Sequence, residues 1–93
     1  MIPVQRVLPN ALAAVLRRAP LSPEKVAFAW RTAVGQAVDR VSSAQLDGTT
    51  LRVRTKDAAW QREIERSAGL IRARLDALLG PGVVRGLDVT RDG

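Results

Sequence analysis

The chain has 93 residues, room for one domain but not two, because compact domains rarely divide below about 150 residues. Its 46% hydrophobic and 26% charged residues suit a packed core, and its lack of cysteine and histidine excludes disulfides, thiol chemistry, the usual zinc sites and the side chain best suited to proton transfer near neutral pH. With 15 basic against 9 acidic residues, the net charge of +6 favours a polyanionic partner, nucleic acid ahead of anionic membrane, over an acidic small molecule.

Residues 1–9, with Pro3 and Pro9, read as an extended arm, residues 10–90 as the single domain and residues 91–93 as a tail. Asn10 caps a helix predicted over 10–19, with Leu12, Val15, Leu16 and Ala19 on one face and Pro20 as its stop. Ser22, Pro23 and Glu24 then form a strong helix start: a side-chain cap, a proline in the first turn and an acid at the positive helix end. This second helix is expected to run to about Val41, with Val26, Trp30, Val34, Ala37 and Val41 as its core stripe. Phe28 lies about 160° from Trp30 at 100° per residue, so it needs a second neighbour. Either the first helix covers it or it is an aromatic anchor at a partner surface. Gly35, inside the same helix, is expected to mark close approach of another element.

Residues 44–47 and 50–55 flank an Asp47-Gly48 turn and read as a β-hairpin. Leu51 and Val53 alternate with Arg52 and Arg54, which places the apolar pair on the buried face and the arginines on the other, a sheet covered on one side only. Asp57 caps a single long helix predicted through Leu79 and closed by Gly80, with Trp60, Ile64, Ala68, Ile71, Leu75, Leu78 and Leu79 as its stripe. At that length it spans roughly 33 Å and crosses the whole sheet. Residues 83–90 supply a last strand with Leu87 and Val89 inward, completing an α-α-β-β-α-β order in two layers.

No catalytic or cofactor motif survives inspection. The glycines at 80, 82 and 86 open a strand, not a helix, so they do not form a phosphate loop, and Ser22 is engaged as a helix cap in its Ser-x-x-Lys match. Glu63 and Glu65 diverge by about 200° around their helix and cannot act as an acid and base pair. The acids stand singly among the cations, which implies no metal. No stretch approaches the roughly 18 apolar residues of a membrane span, and Pro9, Arg17 and Arg18 spoil the faint signal-peptide pattern near the start. A cytoplasmic, nucleoid-associated protein is expected.

Two basic patches are candidates for phosphate contact. Arg52, Arg54 and Lys56 take alternate positions on one strand, about 6.8 Å apart, close to the repeat of a nucleic-acid backbone. Arg62 and Arg66 are one helical turn apart on the face opposite Trp60. Exposed strand positions are often charged merely to guard a sheet, and Glu65 lies beside the second patch. Few aromatics are present and both tryptophans fall on core stripes, so phosphates can be gripped but bases hardly read: weak sequence preference is expected. Phe28 and Leu70, both off their stripes, are the candidate anchors for a protein partner.

Taken in order, Trp30-Arg-Thr-Ala-Val34-Gly35, Leu46-Asp-Gly48-Thr-Thr-Leu51-Arg-Val53, Ala59-Trp60-Gln-Arg-Glu63-Ile64, Leu78-Leu79-Gly80 and Val84-Arg85-Gly86-Leu87 resemble the DciA family over nearly the whole chain. The G-x-x-L-x-V strand followed by the Ala-Trp-x-x-Glu helix start is the most specific part. The resemblance implies a KH-like α+β fold, with helices on one face of a small three-stranded mixed sheet. It also implies a non-catalytic role at DNA, recruiting or loading the replicative helicase, DnaB. The G-x-x-G loop through which KH domains hold nucleic acid is absent, since no two glycines stand three apart, so DNA contact does not follow from the fold. Two other functions fit the residues: a protein-interaction module whose arginines serve solubility, and a generic RNA-binding module. No cofactor, small-molecule substrate or membrane partner is expected.

Overall fold

A computed structural model of the chain describes residues 18–91. Within them the elements run α1 (Pro23–Val34), α2 (Gln36–Arg40), β1 (Ser42–Asp47), β2 (Thr50–Thr55), α3 (Ala58–Arg66), α4 (Ala68–Leu79) and β3 (Gly86–Arg91). The arm and helix expected over residues 1–19 lie outside the described residues, apart from Arg18 and Ala19, as do residues 92–93 of the expected tail.

α1 starts where its residues dictate. Ser22 Oγ accepts the Lys25 amide at 3.1 Å, Pro23 takes a position where a missing N–H is harmless, and Glu24 lies in the first turn. The helix expected to reach Val41 ends at Val34, however. Gly35 adopts φ 87° and ψ 168°, a region essentially closed to other residues, and α2 resumes beyond it. A Cβ at Gly35 would meet nothing within 4 Å, so this glycine serves the backbone bend and not the close approach of another element. Because the rod is broken, Ala37 is exposed and Val41 only half-buried, where an unbroken stripe puts both in the core.

β1 and β2 form the expected antiparallel hairpin, with Asp47 opposite Thr50. Gly48, the first of the two loop residues, has φ 62°, as a type II′ turn demands. β1 begins at Ser42, ahead of the expected Ala44. β3 begins at Gly86 and not at Val83, and it pairs parallel with β2, so the mixed sheet has β2 at its centre in the order β1-β2-β3. Val84 lies outside the strand yet is buried, while Leu87 is half-buried.

The helix expected over 57–79 is also divided. Asp57 caps it as anticipated, its Oδ1 accepting the Trp60 amide at 2.9 Å. Ser67, with φ −95° and ψ 8°, then ends α3, its amide shared between the Glu63 and Ile64 carbonyls at 3.1 Å each. The division lets α3 cover β2 and β3 while α4 packs onto α1, two tasks a single straight rod cannot combine. It also corrects the place of Trp60, which is half-buried and outside the core. The first turn of α3 is held at the end of β2, where Thr55 Oγ1 donates to the Asp57 carbonyl at 3.1 Å. It is Ile64, one turn later, that is 2% exposed.

The core gathers Trp30, Leu51, Val53, Ile64, Leu75 and the smaller apolar residues around them, all on one face of the sheet. This is an α+β fold of two layers, and among the described residues no helix covers the other face of the sheet.

Candidate nucleic-acid interface

The open face follows from the period of two along each strand. Leu51 and Val53 are both 0% exposed, and the alternate residues Arg52 and Arg54 point to solvent on the other side. The register sets their neighbours: Arg52 lies between Gln45 and Asp88, and Arg54 between Ser43 and Thr90. The two arginines therefore differ. Arg52 Nε meets Asp47 Oδ2 at 3.0 Å and its Nη1 meets Asp88 Oδ2 at 3.6 Å, so two carboxylates pair with this one guanidinium. Arg54 has only hydroxyl neighbours across the ladder, and among the described residues no carboxylate lies within ion-pair range of it or of Lys56.

Lys56 follows directly on β2, anchored by its amide to the Val41 carbonyl at 3.2 Å. It borders an open basin of about 230 Å³ lined by Arg40, Val41, Ser42, Ser43, Arg54, Thr55 and Lys56. Arg40 was not among the candidates of sequence reasoning. Its arrival depends on the long-range pairing of Ser42 with Thr55, which brings the end of α2 to the end of β2, and no local pattern signals that. Three cations around a rim of hydroxyl and backbone groups can hold phosphate oxygens through charge-assisted hydrogen bonds. None of the three aromatic residues lies on this face: Trp30 is buried, and Phe28 and Trp60 belong to helices. The surface has charged groups suited to a phosphate backbone and no aromatic ring to stack on a base.

The second expected patch belongs to the helical layer and does not merge with the first. Arg66 Nη1 contacts Glu63 Oε1 at 3.4 Å, and Arg62 is exposed on α3. The apolar candidates lie on different helices. Phe28, on α1, is 43% exposed; Leu70, on α4, is 57% exposed and edges a groove of about 120 Å³ whose floor includes Val34, Val38 and Ile64. Leu21, 54% exposed, is a third such residue, just ahead of the stripe on α1.

Among the described residues no group of three acidic side chains converges to hold a metal ion, and no helix is long and apolar enough to cross a membrane. No curated protein matches the chain closely enough to count as a relative. A family profile does match: that described as "Dna[CI] antecedent, DciA", over residues 3–89.

Proposed function

The chain belongs to the DciA family, which is linked to loading of the DnaB replicative helicase, and from that premise we propose that it is a non-catalytic adaptor that binds DNA and recruits or loads that helicase. The observation that carries the DNA-binding part is the asymmetry of the open sheet face. Arg54, Lys56 and Arg40 surround a basin with no carboxylate in ion-pair range among the described residues, whereas Arg52 is held by Asp47 and Asp88. Phosphates are taken at the Arg54 end, on single- or double-stranded DNA and with weak sequence preference. Arg62 and Arg66 supply a secondary contact, and Phe28 and Leu70 are the apolar anchors for the helicase. The chain has no G-x-x-x-x-G-K-[ST] loop, so the ATPase in this reading is the helicase's own.

A salt titration tests the DNA reading. Binding to duplex through Z phosphates gives a log-log slope near −0.9Z, and to single strands about −0.7Z. A slope of zero, or no binding at low salt, removes the DNA contact and leaves a protein-interaction module. Calorimetry with purified helicase in nuclease-treated buffer tests the partner, and no heat at tens of micromolar from folded protein refutes it.

A further inference from the structure

The basin at the Arg54 end of the sheet gathers more positive charge than one link of a DNA backbone can match. Arg40, Arg54 and Lys56 line the same open basin of about 230 Å³, and all three are exposed. The acids that adjoin Arg40 and Lys56 in the chain are engaged elsewhere: Asp39 pairs with Arg31 at 3.3 Å, and Asp57 accepts the Trp60 amide at 2.9 Å. Two of the rim hydroxyls are also engaged, Ser42 donating to the Val38 carbonyl and Thr55 to that of Asp57. Ser43, exposed and opposite Arg54 in the ladder, makes no side-chain hydrogen bond among the described residues. The basin therefore presents three cations and one free hydroxyl.

An internal phosphodiester brings a single negative charge and two non-bridging oxygens to such a site. A phosphomonoester brings a charge of about −1.5 to −2 at pH 7 and three strongly accepting oxygens. It can occupy more of the donors at once and offset more of the repulsion among the cations. The strand itself favours a short contact over a long track. The next cation along β2 is Arg52, already paired with Asp47 and Asp88, so successive phosphates laid along β2 meet free cations at the Arg54 end and two carboxylates beyond it. A DNA strand that ends in the basin has no need to pass them.

We propose that this basin is a site for one phosphomonoester, the terminal phosphate of a DNA strand, with Arg40, Arg54 and Lys56 balancing its charge and Ser43 Oγ donating to one of its oxygens. The proposal rests on the DNA-binding reading and deepens it, since the open face then prefers the end of a strand to its interior. At an exposed site the added charge is worth about fivefold in affinity.

Fluorescence anisotropy tests it, using the whole chain and an internally labelled strand of about eight nucleotides with phosphate at both ends or hydroxyl at both ends, at low salt. The phosphorylated strand is expected to bind about fivefold more tightly. Arg40→Gln and Arg54→Gln, both at exposed positions, are each expected to remove most of that preference, while Arg62→Gln on α3 keeps it; thermal melting verifies that the variants fold. Equal affinity for the two strands overturns the proposal, as does a preference that survives Arg54→Gln. A 5′-mononucleotide titrated against the chain by nuclear magnetic resonance separates the sources of the phosphate. A mononucleotide that binds as tightly as the phosphorylated strand overturns DNA as the source. If neither strand binds but the mononucleotide shifts the Ser43, Arg54 and Lys56 amides, the phosphomonoester site stands and the DNA reading fails.

Discussion

Trp30 Nε1 donates a hydrogen bond to Ser42 Oγ at 3.0 Å, and Ser42 Oγ in turn donates to the Val38 carbonyl at 2.6 Å. One serine thereby ties α1, α2 and the first residue of the sheet together, and it supplies the partner that a buried indole N–H requires. Ser42→Ala leaves that N–H unpaired and is expected to cost about 1–3 kcal/mol. Trp30→Ala, which also opens a cavity, is expected to cost about 3–5 kcal/mol and unfold much of the population. Denaturant titration measures both, and a neutral Ser42→Ala contradicts the role given to this bond.

The half-buried Trp60 separates from Trp30 in the same experiment. Trp60→Ala is expected to cost about half as much, roughly 1.5–2.5 kcal/mol, and to leave a folded domain. A loss equal to that of Trp30→Ala would restore Trp60 to the core.

Two glycines give opposite expectations. Gly35, at φ 87° and ψ 168°, resists any side chain although space is open around it, so Gly35→Ala is expected to destabilise by about 1–3 kcal/mol. Gly69 lies exposed within α4, at ordinary φ and with open space around it. Gly69→Ala is expected to stabilise by about 0.4–1 kcal/mol. Melting temperatures that move in the same direction for both reject this distinction.

On the open face, removing cations and removing acids should have contrary effects on DNA affinity. The double variant Arg54→Gln and Lys56→Gln is expected to weaken binding to all sequences alike and to flatten the duplex salt slope by about 1.8, two contacts' worth. Asp47→Asn with Asp88→Asn releases Arg52 and is expected to strengthen binding and steepen the slope by about 0.9. Filter binding at several salt concentrations reads both. An acid-free variant that binds no better than the parent shows that Arg52 lies off the DNA path.

For the helicase, Leu70→Arg and Phe28→Glu change exposed positions and should leave the fold intact. At least one of them is expected to weaken helicase binding tenfold or more in calorimetry, with DNA affinity unchanged by Leu70→Arg. Full binding by both variants moves the contact elsewhere, the groove beside Leu21 being the next surface to probe.

What was legible in the sequence was local. The Ser22 and Asp57 caps, the Gly48 turn and the alternation of Leu51 and Val53 with two arginines each depend on a few neighbouring residues, and each lies where those residues predict. The helix breaks at Gly35 and Ser67 were not legible, because the apolar stripe continues across them at helical spacing. Beyond Ser67 the chain turns mainly from β2 and β3 toward α1, whereas the two helices flanking Gly35 both reach β1, so there the break lies in the glycine's own backbone conformation. The site followed the same rule. The strand pattern alone places Arg52 and Arg54 on one face, but the carboxylates that occupy Arg52 and the Arg40 that joins Arg54 come from other strands and helices, brought in by pairing register.

The sheet combines one antiparallel and one parallel neighbour about β2, and these close over very different lengths of chain. The hairpin needs only the loop at Gly48 and Thr49 to turn, an event of microseconds, whereas β3 can reach β2 only after everything from Lys56 to Arg85 has been laid over the sheet. Gln61 Nε2, donating to the Val89 carbonyl at 3.1 Å, locks that late arrival from α3. The expected order is hairpin first and β3 second, which leaves β2 a bare edge until residues 86–91 pair with it.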